Sequence, residues 1–580
     1  MRIQKFLTAP ITKISHSRLV FWFSLSLTFA VIYALLGLQI AFSSEYVVQD
    51  DARQHVFWMR RFLDASLFPN DWIADYFQSV APWGYSNLYK LFALFGVDPI
   101  ILSKFLPIVL GLITTSYCFG ICLQLLPVPM AGFLASLMLN QYLWLRDDIV
   151  SATAVAFIYP FFTAFLYYLL RRSLLGICVA IALLGLFYPQ GVLICAGILI
   201  LQLLHWKHKR LYLSRDRSDY IFSGTGLGVA LLVIAIYALK SSKYGPVITA
   251  AEAKTLLEFG STGLSQFFVN SFGDFWFTGQ RSGIVPKYGT ILPLLLAIAL
   301  PLLLLLFPLL FPLLRQLRQT SILARTTLAS LVMFFIAHAL LFKLHLPSRY
   351  TEHSLRIVTA IAAGIVLTVI IDSIFLWARP RTQKTKDKTL QERQRLALGL
   401  ATLLLTALVI NPVFLKEFPK TDYAIGQVPT LYKFFAQQPK DILIASLAQE
   451  TVNIPSFTKR SILVGGGGFP VPYHKGYYAE IRKRTIDLIE AQYSSDLNEV
   501  QRLIQKYGID FWLVEHSAFA PNYLAESRWI MQYQPAANEA ISKLSQGITP
   551  ALVNFKESCA VFNTGNFVVL QASCIAEASP

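Results

Sequence analysis

The stretch RLVFWFSLSLTFAVIYALLGLQIAFSSEYVVQDDARQH, residues 18–55, decides the fold class. Its apolar run, residues 19–42, exceeds the roughly 20 residues an α-helix needs to cross about 30 Å of hydrocarbon. Positive charge precedes the run in MRIQKFLTAPITKISHSR, as in a secretory signal. The run is too long for the apolar core of such a signal and has no convincing small-x-small cleavage site, so it reads as a retained signal anchor. Two adjacent carboxylates, Asp50 and Asp51, follow it within a few residues.

The rest of the chain extends the same pattern. Of 580 residues, 55% are hydrophobic and 14% charged, and the mean hydropathy is +0.53. That composition excludes a soluble multidomain enzyme and predicts a polytopic membrane protein. Apolar runs give about 11 spans, at 19–42, 99–126, 127–145, 150–170, 173–188, 190–206, 220–240, 290–313, 326–343, 356–378 and 397–415. Five segments that then share the cytoplasmic face are residues 1–18, 171–172, 205–219, 314–325 and 379–395. They hold 21 Lys and Arg against 4 acids, an excess equal to the chain's whole net charge of +17. The basicity is therefore an orientation signal, with the N-terminus inside, and nothing in it asks for a nucleic-acid partner.

The opposite face receives two long loops, residues 44–98 and 241–289, and the short turn HLPSRYTEH, residues 345–353. Past Phe418 the pattern becomes that of a water-soluble α/β domain. DILIAS (441–446), SILV (461–464) and DFWLV (510–514) predict short strands, NEVQRLIQKY (498–507) a helix stopped by Gly508, and CAVFNTGNFVVL (559–570) a hairpin. Two domains are expected: residues 1–417, polytopic with outward catalytic loops, and residues 418–580, extracytoplasmic. Cys559 and Cys574 lie in the second and are within reach of a disulfide only if the chain bends back after the hairpin.

Three groups of residues carry the candidate chemistry. Beyond Asp51, apolar residues at Ala52, Val56, Met59 and Leu63 predict an amphipathic helix at the membrane surface. Asp51 is placed to cap it, leaving Asp50 to face the gap toward the spans, where desolvation would raise its pKa and suit it to proton abstraction. A second acidic pair, Asp147 and Asp148 in RDD, ends the third span on the same face. The two pairs together offer oxygen ligands to a divalent cation such as Mg or Mn, or a grip on an acceptor hydroxyl; plain helix-end charge is the alternative. The third group is basic. Arg349, held in a short turn by Pro347, and Arg281 and Lys287 in the second loop suit a phosphate, although an arginine at this height also snorkels to lipid headgroups without further role. The GGGG run, residues 465–468, lacks the spacing of a nucleotide loop. The aromatic groups WIADYF, DFWF and YHKGYY read as interface anchors or as sugar-stacking platforms.

This arrangement resembles the GT-C superfamily of integral membrane glycosyltransferases, which use polyprenyl-phosphate or polyprenyl-diphosphate sugars. QDDARQH, residues 49–55, is similar to their first-loop acidic motif, and RDD, residues 146–148, to a second acidic motif of some members. No WWDYG-type motif is present, against a peptide acceptor. The resemblance implies a mainly α, GT-C-like bundle with a C-terminal α/β domain. It implies an inverting transfer from a polyprenyl-phosphate-linked sugar donor to an acceptor hydroxyl on a glycan, lipid or protein. Asp50 and Asp51 would be catalytic, and Arg349, Arg281 and Lys287 would bind the lipid phosphate. With no organelle address, a bacterial inner membrane with a periplasmic C-terminal domain is expected. The competing readings are a lipid or polysaccharide transporter or flippase, and a non-catalytic subunit of envelope assembly. Asp372, toward the cytoplasmic end of its span, is the one acid that bears on the first of these.

Overall fold

The computed structural model describes residues 2–11, 16–207, 210–285, 291–307, 310–379 and 388–579. Apolar helices occupy every predicted span: α2 (His16–Ala41), then Pro99–Leu125, Pro129–Leu143, Ile158–Leu170, Leu174–Phe187, Pro189–Gln202, Arg217–Ala238, Ile291–Leu306, Ser321–Ala339, Glu352–Trp377 and Lys388–Ile410. Among the described residues, 6 helical segments are long and apolar enough to cross a membrane, and this is an integral membrane protein. Leu174–Phe187 and Pro189–Gln202 have 14 residues each. At 1.5 Å per residue each is only about 21 Å long. They meet at Tyr188, which packs edge-on against His353 at 5.9 Å.

Glu352–Trp377 is the central helix of the bundle, buried along almost its whole length. Gly364 lets it approach Pro129–Leu143 closely: a Cβ there would lie 2.5 Å from the Ala135 backbone nitrogen. Small residues at such crossings let two helix backbones pack directly, which is how apolar helices gain contact where water gives no driving force. At the far end of the same helix, Asp372 accepts hydrogen bonds from Thr8 Oγ1 at 2.6 Å and Gln4 Nε2 at 3.2 Å, both on α1 (Arg2–Thr8). This acid is satisfied by the N-terminal helix.

The C-terminal region holds a five-stranded sheet in the order Ser461–Ile462, Leu443–Ala445, Phe511–Glu515, Phe567–Gln571, Ala560–Asn563. The first three strands run parallel and the last two form an antiparallel hairpin. The helix Leu497–Tyr507 is capped by the Asp496 side chain and stops at Gly508, as the sequence predicts. After the hairpin, the short helix Ala572–Ala576 bends the chain back, and Cys559 and Cys574 are disulfide-bonded with Cα atoms 5.6 Å apart.

This region is not merely tethered to the bundle. β1 (Val47–Gln49), just after the first span, pairs antiparallel with Tyr423–Ile425. Leu431, Phe435, Ile444, Leu513 and Val569 join the apolar core of the spans, while the outer face of the sheet has a core of its own.

Candidate active site

The first acidic pair stands where a strand turns into a helix. β1 is buried and held by Tyr423–Ile425, and the Asp50 N–H donates to the Asp422 carbonyl at 3.1 Å. α3 (Asp50–His55) starts there, capped by the Gln49 side chain, which accepts from the Ala52 N–H at 3.0 Å. Two expectations are corrected. Asp51 does not cap, and α3 does not continue to Leu63: it gives way at Val56 to a 3₁₀ turn over Phe57–Phe62. Phe57, Trp58 and Met59 are fully buried, so this segment packs inside the protein and does not float on a membrane surface.

The orientations of the two carboxylates also differ from expectation. Asp50 faces outward, its side chain 46% exposed, and pairs with Arg53. Asp51 turns inward. It is deeply enclosed yet keeps partial exposure. Burial pushes its pKa up to about 8, reinforced by Asp147, Asp50 and Asp148 and opposed by Arg349. Tyr85, whose buried hydroxyl has no hydrogen-bond partner among the described residues, also faces it.

The second pair divides in the same way. Asp147 keeps some exposure, and burial followed by the charges of Asp148 and Asp422 raises it to about 6. Asp148 is buried. It accepts from Arg356 at 2.8 Å and from the Tyr159 hydroxyl at 2.8 Å, and Arg349 stands 3.8 Å away. Burial alone would raise its pKa, but Arg356, His353, Arg349 and Arg146 hold it well below the usual carboxylate range. Glu352 completes this network, bonded to Arg356 at 3.0 Å and to Arg146. Asp148 is thus a fixed anion that organises arginines, and it is already fully engaged.

Among the basic candidates, Arg349 lies on the turn Pro347–Tyr350, about one-third exposed, 3.8 Å from Asp148 and 3.9 Å from Glu352. The segment carrying Arg281 is pinned beside that turn: the Ser348 N–H donates to the Arg281 carbonyl at 3.2 Å and Ser348 Oγ to the Gln280 carbonyl at 3.0 Å. Lys287 lies outside the described residues. His55 and His345 are neutral near pH 7. Burial, then Arg349, lowers His55 to about 4; burial, then Arg349 and Arg281, lowers His345 to about 3. Among the described residues no group of three or more His, Cys, Asp or Glu is placed to hold a metal ion.

A cavity of 530 Å³ runs between Ile291–Leu306, Ser321–Ala339 and Glu352–Trp377, lined by Leu294, Ala297, Pro301, Leu323 and Ala362, with Arg356 among its few polar groups. The aromatic groups instead pack on neighbouring rings, those of WIADYF and YHKGYY more deeply than DFWF, whose Phe277 is still exposed. Tyr76 of WIADYF stacks on Tyr477 of YHKGYY at 3.6 Å, and Trp276 of DFWF lies 4.7 Å from the His338 ring.

Sequence reasoning missed Glu352, Arg356 and Tyr159 as members of the network. A signal was present: three charged or ionisable groups at 352, 353 and 356 open an otherwise apolar helix, with Glu352 and Arg356 one turn apart on one face.

No protein-family model and no curated protein matches the sequence. Solved structures do resemble the fold. The oligosaccharyltransferase AglB of Archaeoglobus fulgidus, in complex with an inhibitory peptide and a dolichol-phosphate, aligns over 89% of this chain and 72% of its own at 11% identity and a TM-score of 0.49. ArnT of Cupriavidus metallidurans bound to undecaprenyl phosphate aligns over 97% and 100% at 12% identity and a TM-score of 0.43. Likeness at this level carries no residue's role across.

Proposed function

We propose that the protein transfers a sugar from a polyprenyl-phosphate carrier to an acceptor hydroxyl at the outward end of its bundle, with inversion. The supporting observation is a convergence: a partly exposed, proton-binding carboxylate, the cation Arg349, and an apolar cavity that reaches Arg356 meet around one end of Glu352–Trp377. A base with a pKa near 8 suits work near neutral pH. Asp51 takes the acceptor's hydroxyl proton as the acceptor oxygen bonds to the anomeric carbon. The bond from that carbon to the carrier's phosphate oxygen breaks, and the phosphate leaves with the electron pair. Arg349, with Arg281 nearby, steadies the charge that develops. A lipid phosphate leaves readily, so one carboxylate suffices where a soluble glycosidase needs two. The cavity takes part of the polyprenyl tail.

Placement follows the same reading. Residues 1–417 form the membrane part and residues 418–580 the outward part. The disulfide in the latter suits an oxidising compartment, and the basic segments lie at the other face, as for a bacterial inner membrane with a periplasmic C-terminal domain.

The test is release of polyprenyl phosphate from a panel of polyprenyl-phosphate sugars by protein reconstituted in lipid, with glycan, lipid and peptide acceptors supplied and with or without EDTA. Release by the native chain that Asp51→Asn abolishes, with the variant folded, supports the reading. No release from any donor overturns it and favours the transporter or assembly alternatives.

A further inference from the structure

The glycine run at 465–468 has no part in the chemistry above, yet it lies against the helix that carries Asp51. It follows the parallel strand Ser461–Ile462, and the segment Gln449–Thr458 follows the neighbouring parallel strand Leu443–Ala445. The carboxyl edge of parallel strands is where open α/β sheets place their ligands, because loops diverge there and leave a crevice. Here both loops meet a segment of the same chain. Arg53 donates to Asn453 Oδ1 at 2.7 Å, and Ser456 Oγ donates to the Arg53 carbonyl at 3.5 Å. Arg60, one turn beyond α3, donates to the Ser456 carbonyl.

The approach of the glycine run is closer still. Gly467 has φ +61°, a conformation that favours glycine. A Cβ on Gly468 would fall 1.8 Å from Gln54 Oε1 and 2.0 Å from Gln54 Cδ, so backbone alone fits over α3. Gln54 is buried, and its amide also donates to the Asp50 carbonyl at 3.4 Å, which leaves it little room to turn away. On the other side of α3, Lys420 N–H donates to the Trp144 carbonyl at 2.8 Å, just before Arg146, and Tyr423–Ile425 holds β1. The C-terminal region therefore grips both acidic loops by backbone.

We propose that the crevice at the carboxyl edge of this sheet is the seat of α3, and that Gly468 acting through Gln54 is a positioning contact that sets the depth of Asp51 in the cleft. The proposal rests on Asp51 being the base. The groups facing that carboxyl are Asp50, Tyr85, Asp147, Asp148 and Arg349, drawn from four separate segments. A small displacement of α3 changes its distance to all of them at once.

The experiment uses the full chain in lipid. In Gly468→Ala the added methyl displaces Gln54 and α3. The expected result is a fall in kcat for lipid-phosphate release of about 10- to 100-fold, the scale of a misplacement near 1 Å, with KM little changed. The rising limb of the pH profile moves to lower pH, because a less enclosed Asp51 loses part of what raises it. The double variant Gly468→Ala/Gln54→Ala, which removes the side chain the methyl strikes, recovers both rate and profile. Hydrogen exchange of residues 50–55 gives a readout independent of activity: faster in Gly468→Ala, restored in the double variant. Native rate, profile and exchange in Gly468→Ala overturn the proposal, as does a loss that Gln54→Ala fails to rescue. If no donor is turned over at all, the exchange result still decides whether the glycine run seats α3, and only the reading of Asp51 as base falls.

Discussion

Asp50–Asp51 and Asp147–Asp148 are the same dipeptide on the same face of one molecule, and their surroundings make four different groups of them. In each pair one carboxylate is held by arginine and the other is pushed toward proton binding. Asp50 is outward and paired with Arg53, while Asp51 is enclosed and raised to about 8. Asp148 is buried and clamped by arginines, while Asp147 beside it is raised to about 6. Alternation along the chain points neighbours in different directions, so one of two adjacent acids meets the cations and the other meets its own kind. The lesson is that a paired motif names a place and leaves the chemistry to whichever member faces inward.

The largest expected effect breaks the symmetry of the first pair. Asp51→Asn lowers lipid-phosphate release by at least about 100-fold, the usual contribution of a positioned base, whereas Asp50→Asn stays within about tenfold of native. Equal losses in steady-state assays would erase the distinction drawn between the two. The second pair answers through stability. Asp148→Asn removes one of the two carboxylates that neutralise the buried Arg356 and its neighbours and leaves Glu352 alone to do so, a cost of up to about 3–5 kcal/mol, read as a lower Tm in detergent or lipid. Asp147→Asn removes a carboxyl whose pKa is raised to about 6, so it does not lower Tm and raises it slightly above pH 6.

Asp51 itself gives a prediction opposite in sign to that for Asp148. Its pKa is raised from 3.8 to about 8 in the folded protein. Above pH 4 the unfolded carboxyl ionises while the folded one stays protonated, so stability falls as pH rises, and the full penalty is reached near pH 8. Asp51→Asn removes that penalty, and its Tm therefore exceeds the native value by a few degrees at pH 8–9 and matches it near pH 4. The smallest effect sharpens the link between the pairs. Asp147→Asn removes the second-largest contribution to the raised Asp51 carboxyl, after burial, so the rising limb of the pH–rate profile shifts to lower pH by less than about one unit. A shift upward would mean that the two carboxylates do not face each other across the cleft.

The bundle was legible because a membrane imposes a simple demand. Any segment that crosses hydrocarbon must satisfy its own backbone and present apolar side chains along its length, and both requirements are written locally. The helix stop and the hairpin turn of the C-terminal region were legible for a similar reason: Gly508 and the Asn-Thr-Gly-Asn turn act within a few residues of themselves. The positions of Asp50, Asp51, Asp147, Asp148 and Arg349 on one face also followed from counting spans.

What those residues do was decided elsewhere. Gln49 rather than Asp51 caps α3 because β1 is pinned by a strand near residue 424, more than 370 residues away. Arg356 and Glu352 reach Asp148 only because Gly364 brings their helix against Pro129–Leu143. The glycine run found its role in Gln54, about 410 residues upstream. By itself the sequence determined which segments form apolar helices and which polar residues fall between them, since hydrophobic length acts segment by segment. Which carboxylate is free, which is locked and what holds them apart was decided by tertiary structure alone, because burial and Coulomb interaction depend on distances that only the folded chain possesses.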